Sequence, residues 1–133
     1  MVNVRKRLAC STIAAALLTG ALALAPTAQA GEETAASCYG SAISYSKPDG
    51  DVDLPAGRLF VASGNCADIN IKPKTNRYIM VCTETVSGGS SCPSDYTLVQ
   101  GGVWNVLKYR VDAGTQFYFN FRSAALSNGS WAA

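Results

Sequence analysis

No histidine occurs anywhere in the 133 residues. That absence removes Ser-His-Asp triads, Cys-His nucleophiles and histidine-ligated metals from what the chain can build with its own side chains. Zinc held by cysteine alone needs close ligand pairs, and no two of the five cysteines stand at such a spacing. Sustained helical periodicity is missing too, which excludes helical bundles and doubly wound α/β folds. Lysine and arginine hardly outnumber the acids, at 11 to 9.

What is present begins with an export pattern. Arg5, Lys6 and Arg7 precede an apolar stretch from Leu8 to Ala25, and Pro26 and the small-residue triplet Ala28-Gln29-Ala30 follow. A basic start, an apolar helix and a small-residue cleavage site in that order predict a secretory signal over residues 1–30. The stretch is rich in Ala, Gly, Ser and Thr, weakly apolar for a retained anchor, so no membrane association is expected once the signal is cut.

Cleavage would remove three of the eleven basic residues and none of the nine acids, turning a net charge of +2 into −1. A domain near neutrality lacks the field that draws in nucleic acid or an anionic membrane, so neither is an expected partner. The remaining 103 residues suffice for one domain with a modest core. Residues 31–37 are small and polar and read as a flexible N-terminal arm, leaving 38–133 as a single disulfide-bridged domain.

Four cysteines remain: Cys38, Cys66, Cys82 and Cys92. An even number in a small exported chain predicts two disulfides. Of three possible connectivities we favour Cys38 with Cys66 and Cys82 with Cys92, because the second pair closes a short Gly/Ser loop.

From Cys38 onward, short runs rich in Val, Ile, Tyr, Phe and Thr alternate with turn residues. That spacing predicts an all-β fold, a small antiparallel β-sandwich or partly open barrel of about seven or eight strands. The predicted strands cover residues 42–46, 51–54, 58–62, 67–71, 77–86, 96–100, 103–111 and 116–122, and Asn128-Gly129 reads as a last turn returning Trp131 to the body.

Phe117, Phe119 and Phe121 alternate with Gln116, Tyr118, Asn120 and Arg122, so the phenylalanines should face the core. Matching apolar faces across the turn at Asp112-Ala113-Gly114-Thr115 predicts a hairpin that pairs Val111 with Phe117, Tyr109 with Phe119 and Leu107 with Phe121. Its outer face would then gather Trp104, Lys108, Arg110, Tyr118, Asn120 and Arg122, residue types favoured at recognition hot spots.

Other chemistry is thinner. Asp49, Asp51, Asp53, Asp68, Glu84, Asp95 and Asp112 offer carboxylates for glycoside hydrolysis, but a domain this small rarely builds the cleft such a pair needs. Asp49-Gly50-Asp51-Val52-Asp53 has the alternate carboxylates of a calcium loop. Leu54 and Phe60 stand where an EF-hand requires Gly and Glu, so an exposed turn is expected and no metal or other cofactor. Lys72, Lys74 and Arg77 form a small basic knot around Pro73, expected to be a solvated turn. The leading expectation is a monomeric, secreted, non-enzymatic binding protein whose partner is a secreted protein, such as an enzyme it inhibits. A carbohydrate-binding module using exposed aromatics on a polysaccharide, and a small carboxylate hydrolase, are the alternatives.

Overall fold

The computed structural model describes residues 36–133. The expected signal over residues 1–30, and residues 31–35 of the expected arm, lie outside the described residues. Residues 36 and 37 open a helical turn that runs through residue 40. Among the described residues, no helix is long and apolar enough to cross a membrane.

Ten strands follow: β1 Ile43–Lys47, β2 Asp53–Leu54, β3 Phe60–Val61, β4 Ile69–Pro73, β5 Arg77–Glu84, β6 Ser90–Ser91, β7 Thr97–Val99, β8 Asn105–Lys108, β9 Gln116–Phe121 and β10 Ser127–Ala132. They form two open antiparallel sheets. The first has the order β1-β10-β4-β8. The second has the order β2-β9-β5-β6, with β3 also pairing β9 and β7 also pairing β5. The all-β architecture therefore stands, with two strands beyond the eight expected: the two-residue β6, inside a segment that reads as a Gly/Ser loop, and β10, whose Asn128-Gly129 reads as a turn.

Alternation dictates the core. Phe117, Phe119 and Phe121 all face inward from β9, joined by Ile79 and Val81 from β5 and by Ile71 and Trp131 from the opposite sheet. Trp131 lies against Phe60 at 4.3 Å between ring centroids with the planes tilted by 30°, and meets Phe117 nearly edge-on at 5.6 Å, the second a geometry that aromatic quadrupoles favour. Each buried phenylalanine stabilises the fold by roughly 1.5–3 kcal/mol, and this cluster locks the two sheets face to face.

Both disulfides have the expected connectivity. Cys38–Cys66 pins the helical turn over one end of the first sheet, where Cys38, Cys66 and Ala132 make a second small apolar cluster with Trp104 and Ala42 packed on it. Cys82–Cys92 ties β5 to the chain segment after β6.

The predicted hairpin does not form. β8 pairs with β4 in the first sheet, and β9 pairs with β5, β2 and β3 in the second. The segment between them is an arch that crosses from one sheet to the other. Backbone bonds to the body hold it: the Val111 N–H donates to the Ala67 carbonyl, the Ala62 N–H donates to the Thr115 carbonyl, and the Gly114 N–H donates to the Ala62 carbonyl. An arch and a hairpin both present alternating apolar residues to one core, which is why the pattern alone misassigned the partner. Leu107 and Val111 still point inward as expected, but Tyr109, predicted to pack on Phe119, is 69% exposed.

Asn128-Gly129 is not a turn but the middle of β10, between β1 and β4. Trp131, as expected, returns to the core.

Candidate functional site

Because β8 and β9 belong to different sheets, the six residues expected on one face are divided between two. Trp104 and Lys108 go with the first sheet and Arg110 with the arch that leaves it; Tyr118, Asn120 and Arg122 go with the second.

On the first sheet, Trp104 is half-buried against the Cys38–Cys66 cluster. Tyr39 from the helical turn stacks on it at 4.6 Å and 15° between ring planes, and the Lys72 ammonium lies 5.9 Å from the indole centroid. Lys108 is exposed at the end of β8. Arg110 has the left-handed φ of 55°, unusual for a residue with a Cβ. Its N–H donates to the Asp68 carboxylate at 2.9 Å, which holds the strained corner where the chain leaves the sheet. Arg110 is thus a residue of the arch.

The outer face of the second sheet is better populated. β9 sends Tyr118 and Asn120 outward because its alternate phenylalanines go inward, and Arg122, the residue after its end, is exposed and donates its N–H to the Tyr78 carbonyl. Register places Asp53 and Met80 on either side of Asn120, and Cys82 beside Tyr118. Tyr78 and Leu98 are likewise paired on β5 and β7. Asn120 donates from Nδ2 to the Asp53 carboxylate at 2.7 Å and accepts at Oδ1 from the Tyr96 hydroxyl, so one amide links β2, β9 and the segment entering β7. The Arg122 guanidinium stacks 3.6 Å above the Tyr78 ring. Leu98 next to it is 49% exposed and Tyr78 is 38% exposed.

Sequence reasoning missed Asp53, Tyr78, Met80, Tyr96 and Leu98 as members of this face. Alternation within residues 77–86 would have put Tyr78 and Met80 on one side. Nothing local, however, tells that this strand lies beside residues 116–122, more than thirty positions away.

At the β2 end of the same face is a pocket of about 260 Å³ lined by Asp53, Pro55, Arg58, Leu59, Glu84 and Tyr118. It brings together two of the carboxylates considered for hydrolysis. One of them, Asp53, is already engaged by Asn120. The other acids are dispersed: Asp68 serves the Arg110 corner and Asp95 accepts from Ser94. Among the described residues no three His, Cys, Asp or Glu side chains converge on a point that would hold a metal ion.

The basic knot is reorganised. Arg77 turns away and donates to the carbonyls of Asn76 and Leu126 at 2.9 and 2.8 Å. Lys72 and Lys74 stay together on a pocket of about 440 Å³ on the first sheet, which Ser44, Asn128 and Ser130 also line. No protein-family model, no characterised protein and no solved structure matches the chain.

Proposed function

We propose that the domain is an extracellular binding module that engages another secreted protein through the outer face of its second sheet. The observation that carries this reading is the Arg122–Tyr78 stack beside exposed Leu98, flanked by Met80, Tyr96 and Tyr118. Tyr, Met and Arg are the types enriched at the centres of protein interfaces. A guanidinium resting on an aromatic ring keeps its outer edge free to fork onto a partner carboxylate, while losing little further rotamer freedom on binding.

Preorganisation supports the same reading. The Asp53–Asn120–Tyr96 chain fixes side chains on neighbouring strands, and the Cys82–Cys92 bridge anchors the edge of the face. Rigid surfaces avoid much of the ordering entropy that weakens association. The complementary partner surface would present a carboxylate to Arg122 and an apolar side chain to Tyr78 and Leu98. In its inhibitor form, the partner is a hydrolase whose turnover falls as the domain saturates it.

The test is capture of a secreted protein by the purified mature domain, repeated with Arg122→Gln and Leu98→Ser. Both residues are exposed, so the variants should melt with the wild type while retention of the partner drops by tenfold or more. Equal retention by wild type and both variants would reject this face as the interface.

A further inference from the structure

The opposite side of the sandwich carries a second collection of groups that the protein-binding reading does not use. Alternation sends Ile43, Tyr45 and Lys47 of β1 and Ser127, Gly129 and Trp131 of β10 to one side of the first sheet, so Ser44, Ser130 and Lys72 face out. The register aligns these three in one row across β1, β10 and β4. That row spans about two strand spacings, roughly 10 Å. Asn128 and Lys74 join the row in the 440 Å³ pocket. At its Lys72 end stands Trp104, 5.9 Å from the ammonium, with Tyr39 stacked on it. Tyr39 is 37% exposed.

We propose that this face is a second binding site, whose ligand is an anionic polysaccharide bearing carboxylate or sulfate groups. Each element answers a feature of such a ligand. Two exposed ammonium groups on one pocket attract an acidic substituent as point charges. The hydroxyls of Ser44 and Ser130 and the amide of Asn128 both donate and accept, as sugar hydroxyls do. Tyr39, stiffened by Trp104 beneath it, offers an aromatic surface to the apolar face of a sugar ring. The pocket volume lies in the range of roughly 300–1,000 Å³ typical of small-ligand sites, whereas the pocket beside Tyr118 is smaller.

Charge arithmetic separates this ligand from nucleic acid, which also likes lysine and aromatics. Tight sequence-independent binding to duplex DNA draws on many phosphate contacts, each adding to the salt slope. Two lysines on a domain whose residues 31–133 sum to −1 supply too few for a polyanion held by charge alone, whereas a glycan is also held by the hydroxyls, the Asn128 amide and the Tyr39 ring of this face.

The experiment measures retention of the mature domain on polygalacturonate, dextran sulfate, cellulose and duplex DNA at low and moderate salt. Wild type should be held by at least one of the two anionic glycans, weaken as salt rises, and pass through cellulose and DNA. Retention by polygalacturonate alone assigns the carboxylate, by dextran sulfate alone the sulfate. Lys72→Gln/Lys74→Gln should lower affinity about tenfold with an unchanged melting temperature, since both side chains are exposed. Tyr39→Ala should lower it on either glycan and leave the salt dependence in place. Retention of wild type on neither anionic glycan, equal retention of wild type and the double-lysine variant, or equal retention on cellulose or DNA would overturn the proposal. The site lies on the other sheet from Arg122. Capture of a protein partner should therefore be unaffected by the lysine substitutions, and either proposal can fail without the other.

Discussion

The ammonium of Lys47 sits 5.3 Å from the centroid of the Phe121 ring, and no part of Lys47 reaches solvent. A lysine this deep survives because its three protons are used. Nζ donates to the carbonyls of Pro48, Asp51 and Ala124, which fastens the β1–β2 connection to the segment after β9. Lys47→Met keeps the stem and strips the donors. It should cost about 1–3 kcal/mol, the usual penalty for partly buried acceptors left without partners. The check is a lower urea midpoint with an unchanged m value.

The same residue predicts a pH effect whose sign is opposite to that of a surface ion pair. Burial holds the Lys47 amine below its ordinary value of 10.5, against the pull of Asp51 and Asp49. Between its native value and 10.5 the unfolded chain binds more protons than the folded one, so unfolding is disfavoured further as pH rises through that interval. Burial also raises the Tyr45 phenol above 10.0, although its Ser127 hydrogen bond opposes the shift. Above pH 10.0 that makes the folded chain the better proton binder, and stability falls with further alkali. Subtracting the stability of Lys47→Met from that of wild type across this range should leave a curve that climbs toward pH 10.5. A flat difference would mean that the amine titrates alike in both states.

Phe119→Ala should remove about 3–5 kcal/mol, and Phe119→Asp should abolish the native state altogether. Phe119 is fully buried and meets Phe117 edge-on at 5.5 Å and Trp131 at 6.4 Å, so no neighbour can fill the void with water-compatible surface. Near-ultraviolet dichroism of the aromatic cluster reports the loss directly.

These interior positions were legible from alternation because the three phenylalanines repeat every second residue. The disulfide pairing was legible as well, since the Gly/Ser loop between Cys82 and Cys92 needs closing. Strand partnership was not. Val111 and Phe117 both point to the core whether their strands pair edge to edge or face each other across the sandwich, and only the arch contacts to Ala67 and Ala62 decide. The site inherited that ambiguity. Tyr118, Asn120 and Arg122 stayed together because β9 and the residue just after it carry them. Trp104 and Lys108 left with β8, and Arg110 with the arch that follows it. Asp53, Tyr78 and Leu98 joined from strands that are distant in sequence.

The two bridges should differ in what their loss does. Cys38→Ser/Cys66→Ser opens a 28-residue separation and should cost about 3–4 kcal/mol, while Cys82→Ser/Cys92→Ser opens one of 10 and should cost about 2–3 kcal/mol. Only the first releases the turn that carries Tyr39 over Trp104. Its loss should therefore shift tryptophan fluorescence to longer wavelength while Trp131 stays buried. A red shift of equal size in the second variant would show that the turn is held by something other than its bridge.

Gly129 gives the sharpest prediction about the first sheet. It lies opposite Tyr45 on one neighbouring strand and Pro73 on the other. A Cβ there would run into backbone atoms of β4, the Lys72 carbonyl oxygen first and then the Pro73 Cα at 2.7 Å, and would meet the Tyr45 ring at 2.9 Å. Its φ is not left-handed, so the requirement is room rather than backbone freedom, as expected for a glycine inside a strand where another chain comes close. Backbone cannot swing aside as a flexible side chain can. Gly129→Ala must therefore push β10 from β4, disturbing the ladder that seats Trp131 and the row of Ser44, Ser130 and Lys72. We expect a loss of at least 2 to 3 kcal/mol, at the upper end of what overpacking typically costs. Gly102→Ala supplies the contrast: nothing lies within 4 Å of the added carbon, but φ is +78°, so only the milder cost of a left-handed alanine, about 1–2 kcal/mol, should appear. Thermal melts of the two variants side by side separate crowding from conformational strain. Equal losses would mean that the sheet can open at Gly129 without resistance.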